Sequence, residues 1–481
     1  MFRKVSFFSA FLLVAIGLSL SSCDLFKPAK ASEKEKVYED DELEDIQGKR
    51  VFDPVTGTWR IVHEVTEKVD TVQWTVLPED KYPPITSDGS WDAIDPNNTS
   101  TTNPGGIAGT QEVVVMLPFF ANNLSGNFID DNSSWALHFY AGARLAYDEL
   151  STEGAKLHIS VFDTEGSEAK VRNLLRRVEL EKADVIIGPY KRDNVVICEA
   201  YAKEHETPLV VPHTASMGIA EGNPWYVQVN PSLQSHCEAI VKHARSRYSP
   251  KNMVLVSLER ETASGSFEFF QKANLALNNF GDTTRLKEVR IDNDPSKFND
   301  IDLSDYIKAG EPNVFLVPSW SSEAFVYSLL RHLMEFQTQG EEIVVYGMPQ
   351  WMDFEQVDYE FFERLQVHVS SSSYLNKDDE RLRNFQRDFF EEYGTIPREE
   401  AFLGYDIMRY FGSMTAQYGK NFVGRIDAMP YDVLLGRFEF SRVVREPEKH
   451  REQLNYFDQL ENKFVHILKF QDYHFQPAET P

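Results

Sequence analysis

The sequence predicts an α/β protein made of two Rossmann-like, doubly wound parallel-sheet lobes joined by a hinge. Three observations carry that expectation. Between 113 and 216 short unbroken apolar runs alternate with segments of helical period, the pattern of βαβ units with right-handed crossovers. A second set of the same alternations fills 253–346. Extended segments at 225–231 and 367–373 then read as crossings from one lobe to the other.

The elements follow in order. Val113-Val114-Val115-Met116-Leu117, closed by Pro118, is apolar on both faces, as a strand in a covered parallel sheet must be. The next segment repeats Phe139, Tyr140, Ala143, Tyr147 and Leu150 along one helical face. A strand at 157–162 stops at Asp163-Thr164-Glu165-Gly166, after which Ser167 suits an N-cap and Val171, Leu174, Leu175 and Val178 keep helical spacing. Val185-Ile186-Ile187 ends at Gly188-Pro189, and Leu209-Val210-Val211 ends at Pro212. In the second set, 253–258, 286–291, 314–317 and 343–346 read as strands, with helices at 267–280 and 323–336. Helices at 380–393 and 398–417 follow, and 464–470 reads as a last strand. Ligands of open α/β sheets bind outside the carboxyl ends of the strands, so a site is expected among loops 118–126, 163–166, 189–193 and 212–217.

The N-terminal region has a different character. Arg3-Lys4, an apolar run to Leu20 and then small residues form a signal peptide over 1–22. Leu20-Ser21-Ser22-Cys23 resembles the lipobox of bacterial lipoproteins, which implies lipidation at Cys23 and a periplasm-facing or outer-membrane location in the envelope of a Gram-negative bacterium. The plainer alternative is a secretory signal with an incidental cysteine. Residues 23–110 are acidic and rich in Pro, Asn and Gly, the composition of a tether. Alternation at Trp59, Ile61, His63, Val65 and then Val72, Trp74, Val76 suggests a docking hairpin at 58–76. With 75 acidic against 49 basic residues the net charge is −26, which argues against nucleic acid as a partner. Cys198 and Cys237 read as buried helical thiols in preference to a disulfide.

From Glu112 to Tyr473 the chain resembles the type I periplasmic binding-protein superfamily, which includes the leucine/isoleucine/valine-binding protein and receptor ligand-binding regions. The resemblance rests on the opening strand with Pro118, on 142–150 as the first helix, and on Val161-Phe162-Asp163, Ile187-Gly188-Pro189, Thr207-Pro208 through Pro212 and Gly404-Tyr405-Asp406, in that order. It implies a first lobe of 111–229 plus 376–460, a second of 231–374 plus 462–476, and hinge closure on a ligand between them.

The loops depart from the amino-acid-binding pattern. Where relatives hold the ligand carboxylate with serines, this chain has Tyr190-Lys191-Arg192, whose cations suit an anion or stand in solvent before a helix that Asp193 caps. His213, Thr214 and Ser216 form a small hydroxyl-bearing loop fitted to a polar head group, or a plain turn. In the second lobe Ser264, Trp320 and Gln350 are placed at the cleft. Gln350 stands near the position where the resemblance implies a carboxylate for an ammonium. Trp320 and Trp351 suit stacking or core packing. No nucleophile elbow, P-loop, H-E-x-x-H or paired C-x-x-C is found, so no catalytic residue, metal or cofactor is expected. Ser167-Glu168-Ala169-Lys170 matches S-x-x-K but opens an amphipathic helix, where Ser caps and Lys faces solvent.

Two functions fit. One is a lipid-anchored solute-binding protein that holds a small polar or anionic solute for ABC-type uptake or sensing, with a membrane transporter as partner. The other is an envelope interaction protein on the same fold, for example a regulator of peptidoglycan synthesis or a subunit of an outer-membrane complex.

Overall fold

A computed structural model describes residues 49–53, 58–62, 109–123, 131–453 and 456–478, and the chain divides into two compact units, Met1–Asn98 and Thr99–Pro481. In the first, β1 (Lys49–Asp53) pairs antiparallel with β2 (Thr58–Val62), Lys49 opposite Val62. The strand at 58–62 therefore takes its partner from upstream, inside the segment read as tether, whereas 63–76 lies outside the described residues.

The second unit holds two seven-stranded sheets. The first runs β15 (Phe440–Val443), β16 (Gln459–Asn462), β7 (Tyr226–Gln228), β6 (Leu209–Val211), β5 (Val185–Ile187), β3 (Gln111–Leu117), β4 (Leu157–Asp163). The other runs β18 (His474–Pro477), β17 (His466–Gln471), β12 (His368–Ser371), β11 (Ile343–Gly347), β10 (Asn313–Leu316), β8 (Met253–Leu258), β9 (Lys287–Ile291). All pairings are parallel except β15 with β16 in the first sheet and β12 with β17 and β17 with β18 in the second. The fold class read from the sequence is the one observed. The chain passes between the sheets three times: after β7, after β12, and over Lys463-Phe464-Val465 from β16 to β17.

The strands at the centre are apolar because both faces are covered: Val113, Val114, Val115, Met116 and Leu117 have no exposed surface. On one side of the first sheet the helix Asp131–Thr152 packs against Glu399–Ile407 at backbone contact. A Cβ on Gly142 would come within 1.8 Å of the Ala401 carbonyl oxygen, and one on Gly404 within 1.9 Å of that of Phe139. Glycine is required at both by this approach. Cys198 and Cys237 are free and buried, one in the core of each lobe, and burial pushes the Cys198 thiol up to about 12 and that of Cys237 upward as well.

Several elements were not visible in the apolar pattern. β16 reads Gln-Leu-Glu-Asn yet all four residues are buried, β18 follows β17 in a hairpin, and β13 (Tyr431–Val433) pairs with β14 (Gly436–Phe438). A π-helical turn at Met408–Gly412 interrupts the helix expected over 398–417. Ser167 does cap its helix, accepting from the Lys170 amide at 3.4 Å, while the Lys170 ammonium pairs with Glu165 at 2.9 Å. Asp193 does not cap: the N-cap is Lys191, without a side-chain bond, and Asp193 sits in the first turn.

Candidate functional site

The carboxyl ends of the parallel strands point their loops at the space beside the crossings, and that space contains two adjoining cavities. Asn230, Pro231 and Ser372, all on crossing segments, line both. The larger, about 460 Å³, takes Ser216 and its neighbours from the loop after β6, and Phe269, Trp320, Met348 and Gln350 from the second lobe. The smaller, about 270 Å³, is walled by Trp135 and His213 and carries the charged groups Glu399, Glu400, Asp406 and Arg437.

Of the residues singled out from the sequence, Ser216, Trp320 and Gln350 meet in the larger cavity and His213 lies in the smaller. Tyr190 packs against His213, ring centroids 4.2 Å apart, and Trp135 completes the cluster at 4.4 Å from Tyr190 and 6.1 Å, edge-on, from His213. Packing in this ring cluster lowers the His213 pKa, against the pull of Glu400, although the side chain is exposed on the cavity. Thr214 is buried and its hydroxyl accepts from the Ser216 amide at 3.3 Å, which makes it a brace for the loop. Lys191 is exposed and stands over the Phe120 ring at 5.8 Å, away from both cavities. Ser264 closes the 3-10 turn Glu259–Ser264, and its side chain lies outside the described residues. Trp351 belongs to the core: it is fully buried, donates its Nε1–H to the Ser319 carbonyl at 2.6 Å and stacks on Phe362.

Other residues hold the loops in place. The Asp163 carboxylate at the tip of β4 accepts from the amides of Phe119, Phe120, Ala121 and Glu165 at 2.8–3.2 Å, fixing the loop after β3. Asn230 donates to the His213 carbonyl at 2.8 Å and so ties the first crossing to the loop after β6. Asp406, fully buried, accepts from the amides of Leu434 and Leu435 at 2.9 and 3.0 Å; desolvation still pushes it up to about 7.

The hinge has a carboxylate that the sequence reading missed. Glu461 on β16, 2 % exposed, accepts from the Ser232 amide at 3.0 Å, from the hydroxyls of Ser232 and Ser235 at 2.7 and 2.6 Å, and from the Lys463 ammonium at 3.2 Å. Ser232 and Ser235 belong to the amino end of the helix Leu233–Arg247, whose apolar face packs in the second lobe. Burial pushes the Glu461 carboxyl up, but Lys463 and the serine donors outweigh it and hold it below its ordinary value. A strand of one lobe thus caps the first helix of the other by a buried charge. The sequence signal was Glu-Asn-Lys at the end of a polar run, which periodicity cannot separate from a loop.

Among the described residues no group of three His, Cys, Asp or Glu side chains is placed to hold a metal ion, and no helix is long and apolar enough to cross a membrane. The geometry is that of a cleft lined by loops of both lobes and by the crossings.

Comparison with known proteins agrees with that geometry. The family model for periplasmic binding proteins matches residues 121–451. Among solved structures, a Rhodospirillum rubrum protein named for a branched-chain amino acid ABC transporter is similar at 16% identity and TM-score 0.56, over 77% of this chain and 100% of that one. A branched-chain amino acid ABC transporter periplasmic ligand-binding protein from Burkholderia xenovorans is similar at 11% identity and TM-score 0.51, over 77% and 95%. The C-domain of LpoA from Haemophilus influenzae, a regulator of PBP1A, is similar at 12% identity and TM-score 0.50, over 77% and 100%. At these identities the likeness is one of fold. A search of curated proteins finds no match.

Proposed function

Because the chain belongs to the periplasmic binding protein family, we propose that it is an envelope solute-binding protein, tethered through Cys23, that closes its two lobes on a small solute. One observation carries this reading: the cavity of about 460 Å³ lies between the strand-tip loop of one lobe and the loops of the other, with crossing residues at its base. A ligand there would touch both lobes and favour the closed arrangement by as much as its affinity differs between the two states. The family is one of substrate binders, and the site acts by binding, with no enzymatic step assigned. Delivery to a membrane transporter is the matching partner role.

The test is native mass spectrometry of the protein after incubation with a fractionated low-molecular-weight extract of bacterial envelopes. A stoichiometric small-molecule adduct is expected, accompanied by a smaller radius of gyration in solution scattering. Recovery of a stoichiometric protein partner with no small adduct would favour the envelope-interaction role instead.

A further inference from the structure

The two cavities differ in one respect that bears on what they hold. None of the described residues lining the larger one is Asp, Glu, Lys or Arg, whereas the smaller carries four such residues in its wall. The uncharged cavity has an aromatic and apolar side, Phe269, Trp320 and Met348, contributed by the second lobe. Trp320 and Phe269 are half-buried, packed on that lobe's core with part of each ring left open. The polar groups are neutral: the Ser216 hydroxyl, the exposed Gln350 amide and the imidazole of His236.

His236 strengthens the case that this is a built site. The side chain is only 8 % exposed, and its Nδ1 is dry and has no hydrogen-bond partner. A dry imidazole nitrogen without a partner is least costly as the unprotonated lone pair, which leaves the proton on Nε2. Burial also pushes the ring down to about 4, so it is a neutral donor at physiological pH. A neutral donor on the cavity wall is suited to a carbonyl or ring-nitrogen acceptor.

Resting on the solute-binding reading, we propose that the larger cavity takes an uncharged solute with a flat apolar face and a hydrogen-bond acceptor on its edge, and discriminates against free amino acids, carboxylates and amines. The flat face lies against Trp320 and Phe269, and the edge meets His236, Ser216 and Gln350. A free ammonium or carboxylate would surrender its hydration there with no counter-charge in the wall, which is the costly case for burial. The same absence explains why Gln350 stands near the position where the sequence resemblance implied a carboxylate.

The experiment is isothermal titration of the full chain with four probes that separate charge from shape: indole-3-carboxamide (neutral), indole-3-acetate (anion), tryptamine (cation) and leucine (zwitterion). The neutral probe is expected to bind, with Trp320→Ala weakening it about tenfold or more, as loss of a stacking face does. Ser216→Asp should shift the tryptamine-to-carboxamide preference about tenfold toward tryptamine by placing a carboxylate in the wall. If Trp320→Ala does not fold, Gln350→Ala, a change at an exposed position, should weaken the carboxamide several-fold and takes its place. Binding of leucine, tryptamine or indole-3-acetate as tight as the carboxamide overturns the charge rule while leaving solute binding intact. Carboxamide binding indifferent to both Trp320→Ala and Ser216→Asp in folded variants overturns the assignment to this cavity. Failure of all four probes to bind overturns the rule, and the native mass spectrometry of the extract-incubated protein then decides the solute-binding reading separately.

Discussion

Replacing Glu461 by alanine tests whether the hinge is held by a buried charge or merely decorated by one. The carboxylate accepts three hydrogen bonds from Ser232 and Ser235 and one from Lys463, at 2.6–3.2 Å, in a site where it is 2 % exposed. Alanine leaves the Lys463 ammonium without its counter-charge, bonded still to the Ser235 hydroxyl at 2.8 Å, and strands the Ser232 amide. The two hydroxyls can turn to other acceptors. Loss of one member of a buried pair is worth about 3–5 kcal/mol. Lys463 keeps 23% of its side chain in solvent, so water recovers part of that and the lower half of the range is expected. Glu461→Gln keeps the acceptor oxygen and the volume while losing the charge, and should cost about 1–2 kcal/mol, the difference between charged and neutral acceptors. Urea unfolding followed by far-ultraviolet circular dichroism measures both, the order Ala, Gln, parent being read from the midpoints at constant slope. A loss under about 1 kcal/mol for Glu461→Ala, or no loss for Glu461→Gln, would refute the reasoning, since either result means the charge contributes nothing to joining the lobes.

Three further predictions follow from the same geometry. Asp406 is raised to about 7 in the folded state against an ordinary value near 3.8, so between those limits the folded chain keeps a proton that the unfolded chain has released. Its contribution to stability is complete below about pH 4 and is lost as the pH rises through about 7, a swing of about 4 kcal/mol. The penalty of Asp406→Asn relative to the parent should therefore be larger at pH 5 than at pH 8, and a penalty independent of pH would sink the claim. Gly142→Ala drives a methyl group into the Ala401 carbonyl, and because that neighbour is backbone the helices must part; a loss of about 3 kcal/mol or more in unfolding free energy is expected, against under 1 kcal/mol for the control Gly424→Ala, where a Cβ meets nothing within 4 Å. Cys23→Ser should release the protein from the membrane fraction into the soluble one on differential centrifugation, and unchanged sedimentation with membranes would exclude the lipid tether.

The two lobes were legible because their central strands are buried on both faces and so appear as unbroken apolar runs. Val113 to Leu117 and Val185 to Ile187 announce themselves in this way, as does 343–346 in the second lobe. What stayed hidden has a common physical cause. β16 is as buried as β3, yet its polar side chains find partners far apart in sequence: Gln459 donates to Gln228, Glu461 accepts from Ser232 and Ser235, and Asn462 accepts from the Glu439 amide. A strand whose polar groups are paid for by remote residues has no local signature. The hairpin of β13 and β14 is hidden for a related reason: its strands are three residues each, and the remote Asp406 carboxylate holds its turn by the amides of Leu434 and Leu435.

The site was legible in position and less so in chemistry, and the hinge explains both. Strand-tip loops are marked by where the apolar runs stop, and Ser216, Trp320 and Gln350, which all follow such runs, line one cavity. Their electrostatic character could not, because the charges near the cleft are spent on structure: Glu399 accepts from the Ser373 hydroxyl at 2.6 Å, Glu461 clamps Ser232 and Ser235, and Asp406 pins Leu434 and Leu435. Each of these carboxylates joins a helix or strand to a crossing, to the hairpin, or to the amino end of the other lobe's first helix. In a chain of net charge −26, Glu399, Asp406 and Glu461 therefore act as structural fasteners near the cleft, and the larger cavity between the lobes is left to neutral groups. Closing two lobes over such a cavity leaves no wall charge to be desolvated, so the cost of closure falls on the ligand alone, and it falls least on one that carries no charge.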